Sequence, residues 1–268
     1  MVLPNAWDCM SARVFEACGF RAIATTSAGV AWAMGRPDGE GLGRGEMAGA
    51  VARVAGSVSV PVTADAEAGY GPSPEDAAET ARAMIRAGAV GVNLEDAADP
   101  TPPGPGGSHG WVGSPLADLD AQLEKLRAVV AAGEELGVPL VVNARTDTYW
   151  REVGETGWRF EETVRRANAF LGAGADCVFV PGVKDPGTIA ALAREIPGPL
   201  NVLAGAGSPA VPELGVLGVG RVSVGSGPAR AAMGLVRAIG LELLREGTYS
   251  EMGHAALPYP DADALFKG

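Results

Sequence analysis

Eight short apolar, β-branched segments alternate along this 268-residue chain with eight longer segments rich in Ala, Leu, Arg and Glu. That alternation constrains the fold more than any single motif. Strands that are apolar on both faces need cover on both faces, and strand–helix units wound around a parallel sheet provide it. The strands are expected at 2–5, 21–26, 60–65, 90–95, 140–145, 176–181, 200–204 and 221–224, and the helices at 11–17, 46–55, 74–87, 116–136, 160–171, 186–195, 209–214 and 229–245. Ser73 before Pro74 and Glu75 marks one helix start, and Gly88, Gly137 and Gly174 stand just past three helix ends. Eight such units predict a single (β/α)8 barrel of the TIM type over residues 1–268, with 246–268 a C-terminal tail. An open, doubly wound sheet is the alternative.

Composition narrows what the barrel acts on. Lys and Arg number 21 against 32 Asp and Glu, a net charge of −11 that repels nucleic acid and anionic membranes. No stretch approaches the roughly 20 apolar residues of a membrane span, and the first residues carry no basic, apolar leader. Cys9, Cys18 and Cys177 show no zinc or disulfide spacing and read as small core residues of a reducing compartment. The expectation is a cytoplasmic protein with a small-molecule partner.

In a (β/α)8 barrel the chemistry sits at the C-terminal ends of the strands. Here those ends carry Asn5 and Asp8, Thr26-Ser27-Ala28, Asp65 and Glu67, Asn93 and Glu95, Asn143 and Arg145, Pro181, Gly205 and Ser223. Asp65 and Glu67, two apart, leave the same face of an extended chain. Like charges so placed cost several kcal/mol unless a positive group faces them. With Glu95 they form an all-oxygen donor set, suited to Mg2+ or Mn2+ rather than zinc. The competing reading makes them helix caps or partners of arginines. Arg145 can grip a substrate carboxylate through two parallel hydrogen bonds, or pair with Glu95 or Asp147. The small residues of Thr26-Ser27-Ala28-Gly29 allow backbone N–H groups to approach an anion, or simply allow a tight turn.

The Gly- and Pro-rich stretch 96–111 is long for a connector and is expected to act as a lid. It carries His109, one of two histidines, which reads either as a general acid or base or as a solvated loop side chain.

Taken together, Pro4-Asn5-Ala6-Trp7-Asp8, Ser11-Ala12, Gly19-Phe20, Thr26-Ser27-Ala28-Gly29-Val30-Ala31, Pro37-Asp38, Asp65-Ala66-Glu67-Ala68-Gly69-Tyr70-Gly71, Asn93-Leu94-Glu95-Asp96 and Asn143-Ala144-Arg145-Thr146-Asp147 resemble the isocitrate lyase and phosphoenolpyruvate mutase superfamily over most of the chain. The resemblance implies a barrel whose last helix is exchanged between subunits, in a homotetramer built as a dimer of dimers. It implies Mg2+ near Asp65, Glu67 and Glu95, with Asp38 in the outer shell. A 2-oxo acid would be held by Trp7, Thr26, Ser27, Ala28, Asp65, Arg145 and Gly205, with Asp38, Arg145 and His109 as the catalytic residues. Two departures stand out. The loop after Glu95 lacks the Lys-Lys/Arg-Cys-Gly-His segment of the carbon–carbon lyases and the lysine and asparagine of the mutases, and Glu67 stands where the family often has aspartate. The expected activity is carbon–carbon cleavage of a small 2-oxo or 2-hydroxy carboxylate, either isocitrate-like or an oxaloacetate-like decarboxylation. Carbon–phosphorus chemistry, or 2-oxo acid binding with little turnover, are the alternatives.

Overall fold

A computed structural model describes residues 1–98, 115–254 and 256–267. The strands are β1 (Val2–Leu3), β2 (Asn5–Ala6), β3 (Ile23–Thr25), β4 (Val62–Asp65), β5 (Gly91–Glu95), β6 (Val141–Arg145), β7 (Cys177–Val180), β8 (Leu200–Leu203) and β9 (Arg221–Ser223). All pair in parallel, in the order β1-β9-β8-β7-β6-β5-β4-β3-β2. β1 and β2 are one strand broken at Pro4, which has no backbone N–H to give to a ladder. The first half pairs with β9 and the second with β3, so this split strand joins the two edges of the sheet. Asn5 Oδ1 fastens the seam by accepting from the N–H groups of Val224 and Gly225, both at 2.9 Å. The result is the TIM-type barrel.

The helices are α1 (Cys9–Ala17), α2 (Ser27–Ala33), α3 (Arg44–Ser57), α4 (Pro74–Arg86), α5 (Leu119–Glu135), α6 (Thr156–Gly172), α7 (Pro186–Glu195), α8 (Val211–Val216), α9 (Gly227–Arg245), α10 (Ser250–Gly253) and α11 (Tyr259–Ala264). The main core lies between helices and outward strand residues. Met47, Met84, Val92, Leu126, Val142 and Phe170 fill one half, and Val178, Val180, Ile189, Leu192, Val202 and Leu214 the other. The inward faces are markedly polar, with Asn5, Thr63, Asn93, Asn143, Asn201, Arg221 and Ser223 all buried.

Two elements differ from expectation. The first expected strand is split at Pro4, and the small residues after Thr26 continue as α2, which has no polar face in its sequence to announce a helix. In the stretch expected as a tail, Glu242 accepts from Thr248, Ser250 and Glu251 and so anchors α10 to the end of α9. Of the cysteines only Cys177 is buried, so the core reading holds for that one alone. Among the described residues no helix is long and apolar enough to cross a membrane.

Candidate active site

A cleft of about 100 Å3 opens at the C-terminal ends of the strands. Asn5, Thr26, Ser27, Ala28, Asp38, Asp65, Glu67, Asn93, Glu95, Arg145 and Ser223 line it, so strand ends far apart in sequence meet as the barrel arrangement requires. The sequence did not single out Trp150, Arg151, Phe179, Leu203, Gly225 and Ser226, which line it too. Trp150 and Arg151 lie in the loop after β6, and their closeness to Arg145 in sequence was the available signal.

Asp65 ends β4. Its Oδ2 accepts from both the N–H and the hydroxyl of Ser27, at 3.1 and 2.9 Å, so Ser27 orients Asp65 instead of offering a free donor. Ala28 follows in the first turn of α2, where backbone N–H groups have no partner within the helix. Thr26 caps α2, its hydroxyl accepting from Gly29 N–H at 3.5 Å.

Glu67 does not continue the strand. Its φ of +48° is a left-handed conformation uncommon for a residue with a side chain, and the segment carries a second such residue in Tyr70, at +57°. The turn aims the Glu67 carboxylate at Glu40 N–H and at the Tyr70 hydroxyl, the latter at 2.9 Å. Burial, with the negative charge of Asp65 beside it, pushes Glu67 up to about 7. Asp38 is also raised, by burial and then by Asp65, against the pull of Gly39 N–H, Arg145 and Ser27.

Glu95 and Asp147 hold Arg145 between them, at 2.6 Å each. The two partners weighed from sequence are therefore both engaged, while the guanidinium still borders the cleft. Burial raises the Glu95 carboxyl, and Arg145 opposes the rise. Asp147 also takes Arg151 at 2.9 Å, and its N–H donates to Asp96, which pairs with Arg166.

Several expected positions fall elsewhere. Trp7 lies outside the cleft, in an apolar groove with Met10, Trp32 and Met233, because its side chain leaves the chain beyond the end of β2. Gly205 is exposed and outside the cleft, since β8 ends at Leu203 and the chain turns away. Asp8 caps α1, accepting from Ser11 N–H at 2.7 Å. Asn143 is fully buried beneath the cleft. His109 and most of the expected lid lie outside the described residues.

Among the described residues no three acidic, histidine or cysteine side chains stand ready to hold a metal together. The three acids expected from sequence all line the cleft, and each has a partner of its own: Ser27 for Asp65, Glu40 and Tyr70 for Glu67, and Arg145 for Glu95. The donor chemistry nevertheless suits Mg2+, which keeps several waters and uses only one or two carboxylates. Asp38, Glu67 and Glu95 are all raised, by burial first and by neighbouring carboxylates after it, and a bound cation would oppose both effects.

A (β/α)8 barrel with an acidic, arginine-bearing cleft at its strand ends has the layout of a barrel enzyme. The family model described as phosphoenolpyruvate phosphomutase matches residues 1–244, and the chain belongs to that family. An uncharacterised protein, Rv1998c, from Mycobacterium tuberculosis H37Rv is 37% identical over 96% of this chain and 92% of its own. The oxaloacetate decarboxylase of Paraburkholderia xenovorans LB400 is 29% identical over 93% and 79%. A solved structure from Burkholderia cenocepacia J2315, whose name leaves lyase and mutase both open, is 37% identical, covers 100% of this chain and 91% of that one, and superposes with a TM-score of 0.89. Relatives named 2-methylisocitrate lyase and 2,3-dimethylmalate lyase match 74% of the chain, which spans 60% and 64% of their length. Members of the superfamily thus include lyases acting on carbon–carbon bonds.

Proposed function

We propose that this chain is a Mg2+-dependent carbon–carbon lyase acting on a small 2-oxo or 2-hydroxy carboxylate, with oxaloacetate-like decarboxylation the first activity to test. The observation that carries the reading is the cleft itself, where Asp38, Asp65, Glu67 and Glu95 crowd around the well-held Arg145. Asp65 and Glu67 would hold the cation, which supplies Lewis-acid stabilisation of charge developing on the substrate's oxo oxygen. Arg145, fixed on two sides, is pre-organised to bind a carboxylate without first ordering its own side chain. Ser27 keeps Asp65 aimed into the cleft. The relative named oxaloacetate decarboxylase covers more of this chain than the two tricarboxylate- and malate-type lyases do. Decarboxylation also asks least of the loop after β5, whose sequence has no lysine or cysteine to donate a proton.

The apolar face of α9 supports assembly into a homotetramer. Met233, Val236 and Leu244 are 56%, 68% and 82% exposed, and a second copy of the chain is the occupant we propose for that face.

The test follows pyruvate or glyoxylate release with Mg2+ across oxaloacetate, isocitrate, 2-methylisocitrate and phosphonopyruvate. Pyruvate from oxaloacetate supports the reading. Tight 2-oxo acid binding with no turnover on the panel makes the chain a binding protein, and release from phosphonopyruvate alone moves it to carbon–phosphorus chemistry.

A further inference from the structure

Beneath the cleft, Arg221 occupies the barrel interior, and among the described residues no carboxylate forms an ion pair with it. Its Nη2 faces Thr63 Oγ1 at 3.4 Å and Asn93 Oδ1 at 3.5 Å, and its Nε is buried with no hydrogen-bond partner. Asn93 Oδ1 also accepts from Asn143 Nδ2 at 2.7 Å, while Asn143 Oδ1 is buried and unpartnered. Asn93, Asn143 and Arg221 are 5%, 0% and 7% exposed, and of the three only Asn93 reaches the cleft.

A pair of asparagine amides can satisfy itself in two arrangements, related by turning both amides over together. The opposite arrangement would send Asn93 Nδ2 to Asn143 Oδ1 and leave Asn143 Nδ2 in the unpartnered place, so the pair alone does not choose between the two. It would also set an N–H donor of Asn93 against a guanidinium, which has donors only. The charged, donor-only neighbour decides between them, because it can donate only to an oxygen on its side of Asn93.

We propose that Arg221 is a positioning residue that locks the Asn93 carboxamide with its oxygen toward the barrel interior and its Nδ2 donor toward the cleft, making Asn93 a neutral anion-binding group of the site. Such a donor serves a cleft already crowded with carboxylates. It adds a hydrogen bond to a substrate oxygen without adding a further charge that Glu95 or Asp65 would capture. This inference rests on reading the cleft as an anion site.

The property at issue is donor-only chemistry, so the informative variants are Arg221→Lys, which keeps it, and Arg221→Gln, whose amide oxygen lets Asn93 turn over. Oxalate binding in the presence of Mg2+, followed by calorimetry, is the readout. Arg221→Gln and Asn93→Ala should each weaken oxalate about tenfold. Arg221→Lys should stay within about threefold of the parent, and Arg221→Gln should add nothing in the Asn93→Ala background. Equal losses in the Lys and Gln variants, additive losses in the double variant, or an Asn93→Ala variant that binds like the parent would each overturn the proposal. Thermal melts run alongside separate a folding defect from a binding one, because a merely structural Arg221 would lower Tm without a difference between Lys and Gln in oxalate affinity. A parent that binds oxalate but turns over none of the substrate panel sinks the lyase reading while the Lys and Gln comparison still decides this one.

Discussion

Glu67 shows how strongly one residue can be set by its surroundings. Burial first and Asp65 second raise its carboxyl from 4.5 to about 7. A carboxyl raised in the folded state binds its proton more tightly there than in the unfolded chain. The stability it contributes is therefore complete below about pH 4.5 and is lost as the pH rises through about 7, a swing on the order of 3 kcal/mol. In metal-free buffer, Tm should fall between about pH 5 and 8, and Glu67→Gln should flatten that fall; parallel melting curves for parent and variant would contradict the account. Asp65, held by Ser27, is the carboxylate best placed for the cation. Asp65→Ala should abolish both Mg2+ binding by calorimetry and any Mg2+ dependence of turnover, and an unchanged variant would remove Asp65 from the metal site. The acids at strand ends were legible in the sequence because a β-branched run ending in carboxylates has few other uses. Which of them are spoken for was not legible, because Glu95 meets Arg145 across strands 50 residues apart in sequence.

At the level of elements, the loop after β6 is held by the loop after β7. Gly182 has φ +92°, and a Cβ there would lie 2.9 Å from Trp150 N and from Tyr149 C. Both are backbone atoms that cannot swing aside. Gly182→Ala should cost at least about 2 kcal/mol, lower Tm by roughly 5 °C, and displace Trp150 and Arg151 from the cleft wall. A variant that melts and binds oxalate like the parent would show that the loop does not depend on this contact. The same element scale explains the missed helix. Thr26 through Ala33 has neither a polar face nor an amphipathic period, so α2 forms because Thr26 caps it and the barrel buries it. Strand and helix periods were readable wherever one face meets water, and unreadable where both faces are covered.

For the whole molecule, the unresolved balance is on α9, a helix of 19 residues with large apolar side chains in solvent. Burying it in a second copy predicts that the chain sediments as an oligomer, and that Val236→Asp shifts it toward monomer with a lower Tm. A monomeric parent would refute the proposed assembly. The net charge of −11 bears on the same scale, since it disfavours polyanionic partners and leaves small acids to be drawn in by local groups rather than by the overall field.

Alternating periodicity and glycine and proline placement were enough to determine eight strand–helix units, and with them which residues stand at strand ends. Those signals are local, carried by neighbours within a turn or a strand. Only the tertiary structure decided that Trp7 and Gly205 leave the cleft, that Ser27 serves Asp65, that Glu95 and Asp147 clamp Arg145, and that Arg221 sits beneath Asn93. Each of these is a contact across the closed sheet, where distance in space bears no relation to distance along the chain.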